Sequence, residues 1–505
     1  MNTIHLTAKD GSRVEYIDQR IGQGAMKDVY FSPDRSYVVA FFRDARKGTP
    51  AYAALLDRMT RLTGEFRRGI MEQVGGEYWK QVFCWPQKVV EEGDRLGIVV
   101  PTYPAQFFFQ YGAKDDDFLG IKGQEKEGKW FASASNRHRF LDPRELGTLP
   151  GYLRICLHVA RALRRMHAAG LAHSDLSYKN VLVDPLSGSA CLIDIDGLVV
   201  PGLYPPDVVG TPDFIAPEVL ATHHLPSGDP KRILPSRATD QHALAVLIYM
   251  YLLFRHPLRG RKSHDEDPQR DEVLGMGEKA LYIEHPTDSS NRPDLSQARP
   301  GELPWLDIEK LPAKHLGPYL APLFERAFIT GLHAPPLRPT AGEWEQALIK
   351  TTDLLQPCGN TACAQRWYIF DNGSRPRCPY CGTPHTGVLP VLDLYSAQTP
   401  GVFSPENHRI MVYHGQNLYP WHVNRNLLPN ERLSDADRRP VADFQLIEGR
   451  WHLINRRLSG LRRIQSPHPP QAILENTMVA LEDGMQLLLS AEEGGRLVRV
   501  MLVTA

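Results

Sequence analysis

Asp175, Asn180 and the pair Asp194/Asp196 lie within one stretch, LAHSDLSYKNVLV followed shortly by CLIDIDG. Their types and spacing suit phosphoryl transfer. A carboxylate such as Asp175 can accept the proton of an attacking hydroxyl, while the Asn180 amide and a second carboxylate can share a magnesium ion against phosphate oxygens. A second set lies far downstream, where Cys358 and Cys363 are followed by Cys378-Pro-Tyr-Cys381-Gly. Four thiols in two pairs, one on a tight Cys-x-x-Cys-Gly knuckle, are a tetrahedral donor set for one structural zinc ion, with no coordination position left open for catalysis. His385 is read as a bystander.

Such groups need rigid elements behind them. Residues 150–169 repeat apolar side chains at helical spacing and end at Gly170, a helix stop just before Asp175. Upstream, residues 12–42 read as strands broken by a turn, Gly22-x-Gly24-x-x-Lys27-x-Val29. Glycines there let a backbone close over phosphates without a Cβ in the way. Lys27 and Val29 are two apart on one strand and so share a face, while Arg43 falls on the opposite face from Phe42. Residues 50–73 have helical composition and carry Glu65 and Glu72. CWPQKVV and LGIVVPTYP read as two further strands leading to a proline-rich hinge at 101–104.

The order of these motifs resembles the eukaryotic-like protein kinases over residues 12–350. His173-x-Asp175-x-x-x-x-Asn180 is similar to their catalytic loop, Asp194 or Asp196 before Gly197 to their metal-binding motif, and Gly210-Thr211-Pro212 through Ala216-Pro217-Glu218 to the end of their activation segment. The arrangement looks closest to divergent bacterial members found with tellurite-resistance-type stress systems. The resemblance implies a bilobal fold, ATP and Mg²⁺ as cofactors, and transfer of the γ-phosphoryl group to a protein Ser/Thr hydroxyl. It makes Asp175 the base, Asn180 and Asp194 the magnesium ligands, and Asp196 a second ligand or a turn residue. Gly22, Gly24, Val29 and Ala40 would surround the nucleotide. The usual lysine of a Val-Ala-x-Lys strand is missing, since Phe42 stands there. Lys27 takes the place used by the with-no-lysine kinases, with Glu65, or else Glu72, as its helix partner. Asp240 would be the buried Asp opening the central helix, and Arg338 would pair with Glu218. Ser174 replaces the Arg that reads activation-segment phosphorylation, and Ser177 replaces a phosphate-contacting Lys. The alternative is a pseudokinase scaffold that binds nucleotide and partner proteins without transfer.

The 505 residues exceed one ordinary domain, and Lys plus Arg balances Asp plus Glu at 58 each, which gives no field for nucleic acid. No apolar run is long enough for a membrane span, and MNTIHLTAKD lacks a signal-peptide pattern. With seven cysteines, four of them clustered, the expectation is a cytoplasmic protein. After residue 388 short β-rich runs with Glu448-Gly449 and Asp483-Gly484 turns read as an antiparallel sandwich, weakly similar to forkhead-associated domains. The expected fold class is therefore α+β: a kinase N-lobe at 1–104, a C-lobe at 105–355 with a solvated insertion at about 259–320, a zinc ribbon at 356–387, and an all-β sandwich at 388–505. The expected partners are a protein substrate and a phosphatase or adaptor of the same stress system, without nucleic acid or membrane.

Overall fold

The computed structural model describes residues 2–23, 27–43, 47–198, 200, 210–226, 228–299, 301–371, 375–399, 401–465 and 467–504. Gly24 and the 201–209 stretch lie outside these. Two compact units emerge: residues 1–147, 151–308 and 323–345 form the first, and 148–150, 309–322 and 346–505 the second.

The first unit begins with a hairpin, β1 (Thr3–Thr7) and β2 (Arg13–Ile17), followed by a five-stranded antiparallel sheet. Its strands are β3 (Arg20–Gln23), β4 (Lys27–Phe31), β5 (Tyr37–Phe42), β6 (Lys88–Glu92) and β7 (Arg95–Pro101), in spatial order β3-β4-β5-β7-β6. The β-branched and aromatic run YVVAFF makes β5 central, with Val39 and Phe41 in an apolar cluster that includes Tyr16 and Val90. Thr49 caps the helix Pro50–Arg61, its side chain accepting from the Tyr52 amide. A π-turn then interrupts it at Leu62–Phe66, and the indole of Trp85 donates to the Leu62 carbonyl.

The expected amphipathic helix runs Leu149–Ala168, and the central helix runs Arg237–Leu253, with nearly all its side chains buried. Between them a hairpin of β8 (Val181–Asp184) and β9 (Ser189–Leu192) pairs Val181 with Leu192. The insertion expected at 259–320 is not simply solvated: Tyr282 and Ile283 are buried, and Glu284 pairs with Arg255 at 2.7 Å. Tyr282 of this segment packs edge-on against Tyr249, with ring centres 5.9 Å apart.

In the second unit Leu355–Pro357 and Trp367–Ile369 form a small hairpin beside the cysteines. A six-stranded and a four-stranded antiparallel sheet follow. Leu394, Ile410 and Val500 from one and Phe444 and Leu453 from the other share one apolar cluster, the layering of a sandwich. Glu448 and Gly449 both adopt positive φ, 49° and 76°, which gives the tight turn between Ala442–Ile447 and Arg450–Asn455. Among the described residues no helix is long and apolar enough to cross a membrane.

Candidate active site

The β8–β9 hairpin fixes the distance between two of the expected site residues. Continuing its register by one residue sets Asn180 against Ile193, whose amide donates to the Asn180 carbonyl at 3.0 Å. Asn180 therefore enters the hairpin where Asp194 leaves it. The turn end is pinned by a buried Lys126 ammonium, 2.9 Å from both Glu145 and Asp184. The Asn180 side-chain amide donates to the Asp175 carboxylate at 2.9 Å and to its carbonyl at 2.7 Å, tying the two residues into one loop. Asp240 supports that loop from below, accepting from the amides of His173 at 2.8 Å and Ser174 at 3.0 Å.

Asp194 and Asp196 do not sit on a strand. β9 ends at Leu192, Asp194 takes left-handed backbone angles (φ 58°, ψ 37°), and Ile195–Gly197 form a 3₁₀ turn. Left-handed geometry at a non-glycine residue is tolerated best by Asp or Asn and concentrates at functional sites. The turn leaves the Asp194 side chain 60% exposed but Asp196 only 15%. Both reach Lys27: its ammonium lies 2.7 and 2.8 Å from the two Asp196 oxygens and 3.3 Å from Asp194. Burial alone pulls the Lys27 ammonium towards lower pKa, but the Asp196 and Asp194 charges outweigh it and hold the group above the usual lysine range.

Lys27 opens β4 directly opposite Phe42 on β5. Arg43 points elsewhere, its guanidinium meeting Asp28 at 3.1 Å. The expected pairing of Lys27 with Glu65 is not formed: Glu65 lies in the π-turn, exposed, and Lys27 is instead paired with the two aspartates. Glu72 pairs with Arg67 at 3.5 Å. Gly22 pairs with Val29, and Val29 with Ala40, which is buried. Cys84, Phe107, Leu182 and Cys191, with Val100, Tyr103 and Ile193 packed against them, form an apolar cluster between the sheet and the β8–β9 hairpin. Tyr103 falls in the expected hinge.

One contact escaped the sequence reading. Thr211 donates to Asp175 through both its amide (2.9 Å) and its hydroxyl (3.1 Å). That hydroxyl is also 3.2 Å from the hydroxyl of Ser177, which is fully buried, while Lys179 is exposed. The Gly-Thr-Pro ahead of Ala-Pro-Glu was the available signal, though nothing local says that its threonine turns back to Asp175. Asp175, Leu176, Thr211, Phe214, Ile215 and Val219 line a small pocket. Downstream, Glu218 and Arg338 form a bidentate pair at 2.7 and 2.8 Å with the Arg338 side chain almost wholly buried.

Cys358, Cys363, Cys378 and Cys381 bring all four sulfurs within 4.8 Å of one another. Cys358 and Cys381 are 3.5 Å apart, and Cys363 and Cys378 are 3.9 Å apart. Four sulfurs at about 2.3 Å from a tetrahedral zinc would be separated by about 3.8 Å, so the cluster fits the ion. Gly382, at φ 75°, makes the knuckle turn.

The protein kinase domain family matches residues 131–298. Similar proteins include calcium-dependent protein kinase 6 of Oryza sativa subsp. japonica, 34% identical over 119 residues, which are 20% of this chain and 20% of that protein. The serine/threonine-protein kinase PknD of Chlamydia pneumoniae is 29% identical over 165 residues, 28% of this chain and 16% of its own. A dual serine/threonine and tyrosine protein kinase of Apis mellifera is 36% identical over 77 residues, 15% of this chain and 8% of its own. The chain thus spans a fifth or less of the length of these relatives. It carries a protein kinase domain.

Proposed function

We propose that this chain transfers the γ-phosphoryl group of ATP to a Ser or Thr hydroxyl of a protein, in a bacterial stress or signalling system with a phosphatase or adaptor as partner. The observation that carries the reading is a pair of contact clusters, Asp175–Asn180–Thr211 and Lys27–Asp194–Asp196, joined where the Ile193 amide bonds the Asn180 carbonyl. Asp175 accepts the hydroxyl proton, held in place by Asn180 and Thr211. Lys27 contacts the phosphates from the β4 end. Magnesium, when bound, neutralises charge on the phosphate oxygens. Asn180 and Asp194 hold it, with Asp196 as the second carboxylate. Their fit is supported by the two aspartates already sharing one cation, the Lys27 ammonium. Gly22, Gly24, Val29 and Ala40 cover the nucleotide, and the apolar cluster around Leu182 receives its base.

In the same proposal the chain divides into lobes at 104/105, a zinc ribbon over 356–387 and a forkhead-associated-like docking sandwich from 388. The ribbon reading is supported by the four-sulfur geometry, and the sandwich reading by the two layered sheets. Incubation with Mg²⁺ and radiolabelled ATP tests the function, with wild type compared against Asp175→Asn. Label on the protein or an added substrate in the wild type alone supports transfer. Nucleotide binding without label in either protein would replace it with the scaffold reading.

A further inference from the structure

On the N-terminal side of the cleft, the Pro50–Arg61 helix sends a side chain to the site, but not a carboxylate. Arg58 is buried, 6% exposed, and its guanidinium donates to the Leu198 carbonyl at 2.8 Å. From the opposite side the hydroxyl of Ser174, next to the base, donates to the Gly197 carbonyl at 3.2 Å. Two successive carbonyls just beyond Asp196 are therefore held by two elements far apart in sequence, the Pro50–Arg61 helix and the loop of Asp175. Between them the 3₁₀ turn has one long internal bond, from Gly197 to Asp194 at 3.3 Å, and one of ordinary length, from Leu198 to Ile195 at 3.1 Å.

We infer that Arg58 is a positioning residue for the metal-binding turn, linking the seating of the Pro50–Arg61 helix to the placement of the Asp194 and Asp196 carboxylates. The inference rests on the phosphoryl-transfer reading for its effect on rate. The guanidinium presents planar, fixed donors, and a bond from a cation to a buried carbonyl is stronger than one between neutral groups. Without it the Leu198 carbonyl loses a charged donor, and the turn keeps its own two internal bonds and the tie from Ser174. Lys27 cannot supply this link, because it meets the aspartates only through their side chains. Nor does Glu65 supply it, being exposed in the π-turn. The helix thus acts on the turn through its backbone rather than through an ion pair with the phosphate lysine.

The test uses the full chain with Arg58→Met, Arg58→Lys and Ser174→Ala. Arg58→Met is expected to lower turnover roughly ten- to a hundred-fold, the scale of a displacement of reacting groups by about 1 Å. It should also raise the Mg²⁺ concentration needed for half-maximal rate and speed hydrogen exchange across 192–198. Arg58→Lys should recover part of each effect, and Ser174→Ala should shift Mg²⁺ dependence in the same direction. If Arg58→Met does not fold, the other two variants carry the same readouts. A lower melting temperature with unchanged Mg²⁺ dependence and unchanged exchange over 192–198 would reduce Arg58 to a packing residue and overturn the inference. Should wild type transfer no phosphate, the kinase reading fails separately. Mg²⁺-dependent binding of ATP and hydrogen exchange then still decide whether Arg58 positions the turn.

Discussion

Lys27 and Phe42 face each other across two antiparallel strands, with the Lys27 ammonium 5.6 Å from the centre of the Phe42 ring. Directly opposed residues share a face of the sheet. A lysine at position 27 therefore projects from the same sheet face as one at position 42 would, with the Phe42 ring beside its ammonium. Lys27→Ala is expected to lower turnover by roughly 10²–10³-fold, the loss typical of one positioned electrostatic donor. Arg43→Ala, which removes the pair with Asp28 and a 3.4 Å bond to the Lys27 backbone carbonyl but leaves the Lys27 ammonium in place, should have a far smaller effect. Lys27→Gly combined with Phe42→Lys should regain part of the activity. Steady-state kinetics on the three variants check this, and a larger loss from Arg43→Ala would mean the register has been misread.

Asp175→Ala and Asp194→Ala should separate base from metal ligand. Asp175→Ala is expected to cost roughly 10²–10⁴-fold in transfer, as removal of a general base does, while leaving Mg²⁺-dependent ATP binding intact. Asp194→Ala should weaken that binding as well as transfer. Calorimetric titration beside an autophosphorylation assay distinguishes them. Undiminished autophosphorylation in either variant would sink its assignment.

One zinc ion per chain is expected on Cys358, Cys363, Cys378 and Cys381. Metal-replete protein should give that ratio by elemental analysis. Cys378→Ser, or prolonged chelation, should destabilise the second unit before the first, because metal binding at a structural site adds directly to folding free energy. Limited proteolysis reads this out by which unit is cut first. Metal-free protein of unchanged stability would remove the claim.

The Glu218–Arg338 pair is structural, so its loss should show in folding. Glu218→Ala leaves the Arg338 guanidinium buried with its main charge partner gone, an arrangement that costs about 3–5 kcal/mol. The midpoint of denaturant unfolding followed through the first unit should fall accordingly. A variant that kept its stability and lost only turnover would contradict this role.

Acid should destabilise the first unit through His256. Burial pushes this imidazole down to about 4, and its geometry explains why it stays neutral. One ring nitrogen is 2.9 Å from the Asp213 carbonyl, while the other accepts from the Leu258 amide at 3.1 Å, which a second proton would prevent. The folded pKa lies below the unfolded value near 6.5, so the unfolded state takes up the proton first. Stability is then full above about pH 6.5, falls as pH drops towards 4 and levels off below, a change of about 3 kcal/mol at most. His256→Gln should flatten the unfolding free energy over that window. An unchanged slope would exclude His256 as its source.

The sequence by itself determined the residue types and their order. Asp175, Asn180, Asp194 and the four cysteines stand at spacings that a loop, a hairpin and a knuckle require, and such constraints are local, written in a few consecutive positions. Helix Leu149–Ala168 and strands β4 and β5 were legible for the same reason, since burial of one face imposes periodicity. What tertiary structure decided were the long-range partners. Lys27 meets Asp196 across 169 positions, Arg58 meets Leu198 across 140 and Thr211 meets Asp175 across 36. No local pattern encodes such contacts, because they depend on how separately folded elements dock. The placement of Asp194 and Asp196 was not legible because a single left-handed residue turns the chain out of the strand, and Asp adopts that conformation without needing glycine. Glu65 was misjudged because the π-turn around it resets the helical phase, so that helical spacing no longer tells which way the side chain faces.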